Sequence, residues 1–254
     1  METELILKLI LLWVIGVVTG VINTLAGGGS LLTLPMLIFL GLPPSVANGT
    51  NRIAILIQSV VTNFGFRSKG VKTMPFSIYF GISATLGAIL GAQLAIEIDG
   101  ELFNKILAVI MIIVVAYLVL NRKPKIDYAF EKVKGKSLWT SIILFFFVGI
   151  YGGFIQAGVG FLMLLVLAGI NNFTLVKSNA IKIVVTGIYT VFAVFIFVIN
   201  DKMNWEYGLI LAFGNALGGW FTSRWSVSKG DGVVKISLVI MVVIMAIKLW
   251  FFTD

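Results

Sequence analysis

Two cations stand where a membrane-spanning segment should have none. Arg52 lies in NGTNRI, residues Asn48 to Ile53, and Lys182 lies in SNAIKI, Ser178 to Ile183. Each falls about two helical turns, roughly 10 Å, inside an apolar stretch. An ionisable residue at such depth marks a functional site by default. Arginine presents a planar fork of donors suited to oxyanions, and lysine a point charge. Neutral hydrogen-bonding groups accompany them: Asn23, Ser30, Asn48, Thr50, Asn51, Gln156, Ser178 and Asn179. Gly27, Gly28 and Gly29 interrupt a second apolar stretch, and Gly158 interrupts its counterpart. Glycine lets a backbone approach a ligand closely, and the helix that follows offers free amides and a positive dipole end. The chemistry these residues could perform together is the binding of a small anion.

Catalysis and metal binding have no such support. The chain has no cysteine and no histidine. All eleven acids, Glu2, Glu4, Glu97, Asp99, Glu101, Asp127, Glu131, Asp201, Glu206, Asp231 and Asp254, fall in termini, loops or span ends. An intramembrane enzyme would need a buried nucleophile and base or a metal constellation. We therefore expect no catalytic residue, no metal and no cofactor, and a cavity of net positive charge. Proton-driven carriers commonly relay through buried Asp, Glu or His, and no such relay is evident.

The elements that must position these residues are membrane helices. The 254 residues are 59% hydrophobic and only 12% charged, about half the charge of a soluble domain. The net charge of +8 sits in short loops between apolar runs, which points to a bilayer and not to nucleic acid. Eight long apolar segments, near 5–26, 45–66, 75–96, 102–120, 138–157, 175–199, 204–222 and 232–252, approach the ~20 residues of a spanning helix. The first is expected to be retained, since METELILKLI lacks a basic leader region. Two more, 31–42 and 160–170, reach only roughly 18 Å, short of a ~30 Å core.

The two halves of the chain resemble each other. GVVTGVINTLAGGGSLL, Gly16 to Leu32, has a counterpart in GIYGGFIQAGVGFLML, Gly149 to Leu164. Both carry GxxxG, then Asn23 or Gln156, then glycines; the spaced pairs Gly16/Gly20 and Gly149/Gly153 suit helix packing. Short apolar pieces end at Gly41 and Gly169, and the polar clusters place Arg52 opposite Lys182. Loop charges give the halves opposite orientations. Arg67, Lys69 and Lys72, the 122–136 loop, and Arg224 with Lys229 fall on the cytoplasmic side; Glu97, Asp99, Glu101 and Asp201 fall outside. The expected fold is an all-α integral membrane protein of about eight transmembrane helices in two inverted repeats. Repeat 1 covers about 1–121, a basic cytoplasmic linker 122–137, and repeat 2 about 138–254, in one transporter domain. Each repeat begins with a broken, re-entrant hairpin, 5–42 or 138–170, entering from opposite faces with its turn near the midplane. Both termini are then outside. Paired, glycine-interrupted short segments in two halves point to a transporter binding site.

The G-x3-G pair, the Ala26-to-Ser30 AGGGS run, the proline-ended short helix and Ala47-Asn48-Gly49-Thr50-Asn51 together resemble the TauE/SafE family of sulfite exporter-like membrane proteins. The resemblance extends over nearly the whole chain. It implies a bacterial inner-membrane permease exporting small sulfur-containing anions such as sulfite, sulfoacetate or other organosulfonates by alternating access. Where the family usually carries GTS, this chain has Asn51 after Thr50. An anion channel, or a carrier of another small organic or carboxylate anion, is the alternative. The implied partners are a small anionic substrate and the lipid bilayer, with no nucleic acid; oligomeric state is left open.

Overall fold

Residues 2–109 and 130–252 are described by the computed structural model, with side chains over 6–109 and 130–229. The regular structure of the described residues is entirely helical, without a strand. In chain order they form α1 (Glu2–Leu25), α2 (Ser30–Phe39), α3 (Pro44–Arg67) and α4 (Phe76–Glu97). A helix α5 begins at residue 100 and is described to 109. Then come α6 (Gly135–Phe154), α7 (Val159–Leu164) with a π-helical continuation (Leu165–Ile170), α8 (Leu175–Ile199) and α9 (Trp205–Phe252).

The solvent for which this fold is built shows in what lies inside and outside. Ile78, Ile82, Leu86, Leu90 and Leu94 form an exposed apolar stripe on α4, and Ile6, Leu7, Ile10, Val14 and Val18 do the same on α1. The buried side chains include Asn48, Thr50, Asn51, Arg52, Gln58, Ser59 and Thr62, all from α3. An apolar exterior around a polar interior suits hydrocarbon. Ile6–Leu25, α4, α6 and α8 are each long and apolar enough to cross a membrane. The polar run near the start of α3 explains its absence from that set.

The internal repeat appears as equivalent packing. A Cβ at Gly87 of α4 would sit 2.0 Å from the Phe146 carbonyl of α6, and one at Gly91 would sit 2.0 Å from that of Ile150. In the other half, a Cβ at Gly214 of α9 would sit 2.4 Å from the Trp13 carbonyl of α1, and one at Gly218 2.1 Å from that of Val17. The shift that relates Gly16 and Gly20 to Gly149 and Gly153 also relates Trp13 and Val17 to Phe146 and Ile150. So α1 packs on α9 as α6 packs on α4, with small residues bringing the backbones together.

The equivalent helices α3 and α8 run antiparallel. Phe66, at the end of α3, packs on Ala180 and Ile183 near the start of α8. Gly49, near the start of α3, lies against Phe197 and the Lys202 carbonyl beyond the end of α8. Equivalent elements of opposite direction make the repeats inverted. The hairpins α1–α2 and α6–α7 accordingly enter from opposite ends.

Two expected segments differ or fall elsewhere. The 204–222 and 232–252 spans are one continuous helix of 48 residues, roughly 72 Å long and more than twice the ~30 Å hydrocarbon core. Ser223, Ser226 and Ser228 hydroxyls bond carbonyls three residues back, and no proline interrupts the run. Glycine alone costs about 1 kcal/mol there, so Gly230 and Gly232 do not end it. The eight-span count therefore does not follow from the structure. Most of the 102–120 span and half of the 122–137 linker lie outside the described residues.

Candidate transport site at the crossed helix breaks

The first break follows directly from its residues. Beyond Leu25 the Gly27 amide returns to the Ile22 carbonyl at 3.0 Å, and Gly27 takes φ +82°. That left-handed turn suits glycine. Asn23 then spans the gap: its Oδ1 accepts from the Gly29 amide at 2.7 Å, and its Nδ2 donates to Gln58 Oε1 at 3.1 Å. A Cβ on Gly29 would lie 2.5 Å from Thr19 and 2.7 Å from Asn23, so that glycine admits the asparagine.

At the second break Gln156 has φ 64° and Gly158 φ 73°. A left-handed backbone on a residue other than glycine is uncommon, and here the surroundings hold it. Tyr151 donates its hydroxyl proton to the Ala157 carbonyl, and Gln156 Oε1 accepts from Arg52 at 3.2 Å. The two breaks touch, with the Gly160 amide donating to the Gly27 carbonyl at 3.2 Å. A Cβ on Gly27 would lie 2.2 Å from Gly160 Cα. These two glycines are equivalent positions of the repeats, so the pseudo-twofold axis passes between them.

Each cation holds the broken helix of the opposite repeat. Arg52 Nη1 donates to the Gly152 carbonyl at 3.0 Å. Its Nη2 donates to the carbonyls of Gly153 at 2.5 Å and Phe154 at 3.3 Å, and to Asn48 Oδ1 at 3.3 Å. Lys182 Nζ donates to the carbonyls of Asn23 at 2.9 Å and Thr24 at 3.2 Å, and to Asn179 Oδ1 at 2.6 Å. The last carbonyls of a helix lack intrahelical partners and carry its negative dipole end. Arg52 and Lys182 supply those partners, and among the described residues no carboxylate bonds either one. The Phe197 ring lies 4.8 Å from the Arg52 guanidinium.

A small cavity, about 20 Å³, remains between the breaks, room for about one water. Of the expected site residues it brings together Asn23, Gly27, Ser30, Gln156 and Lys182. The rest stand around it. Asn48 Nδ2 donates to the Phe154 carbonyl at 2.7 Å, and Asn51 ties α3 to Ser30 at 3.0 Å and to Thr33 at 2.7 Å. Thr50 lies farther off, its hydroxyl accepting from the Asn204 amide at 2.9 Å. Arg52, Gly28, Gly29, Gly158 and Asn179 are not among the lining residues. Gln58, Ser59 and Thr186 also line the cavity, and sequence reasoning left them out. Gln58 could have been found from helical spacing, since Asn48, Asn51, Ile55, Gln58 and Thr62 lie along one face of α3.

A helical chain with an apolar exterior, a polar interior and two broken hairpins meeting from opposite ends defines an integral membrane transporter built of inverted repeats. Residues 12–249 match the family described as Sulfite exporter TauE/SafE, and the chain belongs to that family. It is 27% identical over 241 residues to a probable membrane transporter protein of Haemophilus influenzae, covering 95% of this chain and 94% of that one. It is also 27% identical over 238 residues to the probable membrane transporter protein ORF9 of Sinorhizobium sp, covering 94% and 90%. With the probable membrane transporter protein YfcA of Escherichia coli K12 it shares 26% over 238 residues, covering 94% and 88%. No solved structure matches the chain significantly.

Proposed function

We propose that the protein exports a small sulfur-containing anion, such as sulfite, sulfoacetate or another organosulfonate, by alternating access across the cell inner membrane. One observation carries the anion preference: Lys182 lines the cavity at the crossed breaks and, among the described residues, bonds only uncharged oxygens. An entering oxyanion would compete with the Asn23 and Thr24 carbonyls for the ammonium group. A full negative charge attracts the ammonium group more strongly than a carbonyl dipole does, so the anion would win Lys182 and free the end of α1. Asn23, Ser30 and Gln58 would supply further contacts around it. The sulfur-anion class comes from the family, and Asn51, bonded to Ser30, would adjust the choice among such anions.

The cavity of about 20 Å³ is smaller than sulfite, so passage requires the hairpins to part. This favours a carrier that rocks one repeat against the other over an open channel. Basic residues at the end of α3 and acids at the end of α4 would set the α3 end in the cytoplasm. The test is uptake of labelled sulfite, sulfoacetate and small carboxylates into vesicles containing the purified protein. Saturating flux, selective for the sulfur anions and depressed in Lys182→Gln, is expected. Flux linear in concentration would mean a channel, and preference for carboxylates would replace the substrate class.

A further inference from the structure

The outer surface carries a second site, remote from the helix breaks. Between α3 and α9 runs a groove of about 430 Å³ lined by Ile57, Val61, Phe213, Ala216, Leu217 and Trp220, with Leu209 at its far end. Phe213 is 62% exposed and Leu209 52% exposed, so the groove opens outward into the apolar surroundings. From Leu209 to Trp220 it extends roughly 16 Å, about half of a ~30 Å hydrocarbon core and so the depth of one leaflet.

Its end is basic. Arg224 lies one turn beyond Trp220 on the same face of α9, with its guanidinium 5.2 Å from the Trp220 ring. Arg67, in the last turn of α3, lies at the same level, because Gly65 of α3 packs against Ser223 of α9. Neither arginine pairs with a carboxylate among the described residues. A tryptophan beneath an arginine is the composition of a membrane–water interface, and the arginine fork matches phosphate.

An apolar trough one leaflet deep, ending at two arginines that no carboxylate among the described residues pairs, matches one molecule in shape and charge. We infer that the groove binds an anionic phospholipid. One acyl chain lies along Ile57, Val61, Phe213 and Leu217, and the phosphate sits on Arg224 with Arg67 beside it.

The experiment is native mass spectrometry of the full chain released from vesicles of phosphatidylglycerol and phosphatidylcholine in equal amounts. Retention of phosphatidylglycerol over phosphatidylcholine is expected, falling about fivefold for each arginine removed in Arg224→Gln and Arg67→Gln. Ala216→Leu, which fills the groove and keeps both arginines, should lower retention of both lipids. Equal retention of the two lipids by the wild-type chain overturns the proposal, and that comparison needs no variant to fold. Cross-linking between two chains through Phe213→Cys in the membrane would overturn it too, assigning the groove to a dimer.

Discussion

At Arg52 and Lys182 the same task is done with different amounts of bonding. Arg52 bonds three helix-end carbonyls and two side chains, and it stands back from the cavity. Lys182 bonds two carbonyls and one side chain and lines the cavity. Arg52→Gln should therefore act mainly on stability, by about 1–3 kcal/mol, the cost of leaving buried helix-end carbonyls without a donor. Lys182→Gln should act mainly on substrate affinity, by about 1.5–3 kcal/mol, the scale of a charged hydrogen bond. Thermal unfolding in detergent and sulfite binding on the folded fraction separate the two. Equal effects on both measures would remove the division of roles. The cations were legible in the sequence because a charge in an apolar run is conspicuous. Their partners were not, because those are main-chain carbonyls, which every residue has. Only the end of a helix, brought close by the fold, makes those carbonyls acceptors for a cation.

The hairpins concentrate their constraint at one contact. Gly27→Ala and Gly160→Ala each drive a Cβ to within 2.3 Å of the opposite Cα, and backbone cannot yield as a side-chain end can. Overpacking of this kind costs about 1–3 kcal/mol, occasionally more, and at Gly27 the left-handed φ adds strain. Gly41 is the comparison: φ is +94° but nothing lies within 4 Å of its Cβ. Gly41→Ala should cost about 1 kcal/mol, and Gly27→Ala clearly more, in unfolding midpoints of the purified proteins. Matching midpoints would show that the breaks do not press on each other. At α9 the reverse holds. Charge and glycine in 223–232 mark a loop in the sequence, yet no proline blocks the helix and serine hydroxyls bond back onto it. Composition there argues for solvent exposure, and an exposed helix satisfies that as well as a loop does.

Across the whole molecule, the inverted halves place the end of α3 and the end of α8 on opposite faces. The chain lacks cysteine, so single cysteines report topology cleanly. Lys69→Cys should label from the cytoplasm only and Asp201→Cys from outside only, with impermeant reagents on oriented vesicles. Labelling of both from one face would refute the inversion. Energy coupling belongs to this scale too. An anion leaving a cell with a negative interior runs with the potential, and one charge across 100 mV is worth about 2.3 kcal/mol. Export should follow a potential clamped with potassium and valinomycin at equal pH. Flux that ignores the potential and follows an imposed pH gradient would mean that protons travel with the substrate.

The sequence by itself determined the solvent, because apolar length and missing charge are sums over residues and need no geometry. It also pointed to the repeat and its inversion, since the order of Gly16, Asn23, Gly27 and Arg52 recurs in the second half while the loop charges there are swapped. Tertiary structure alone decided that Gly27 meets Gly160, that each cation holds the other repeat's helix end, and that Gln58 joins Asn23 at the cavity. These are contacts between residues 35 to 159 positions apart. Side-chain type reports what a residue can bond, and only the packing of α3 against α8 and of the two hairpins across one axis selects which partner it meets.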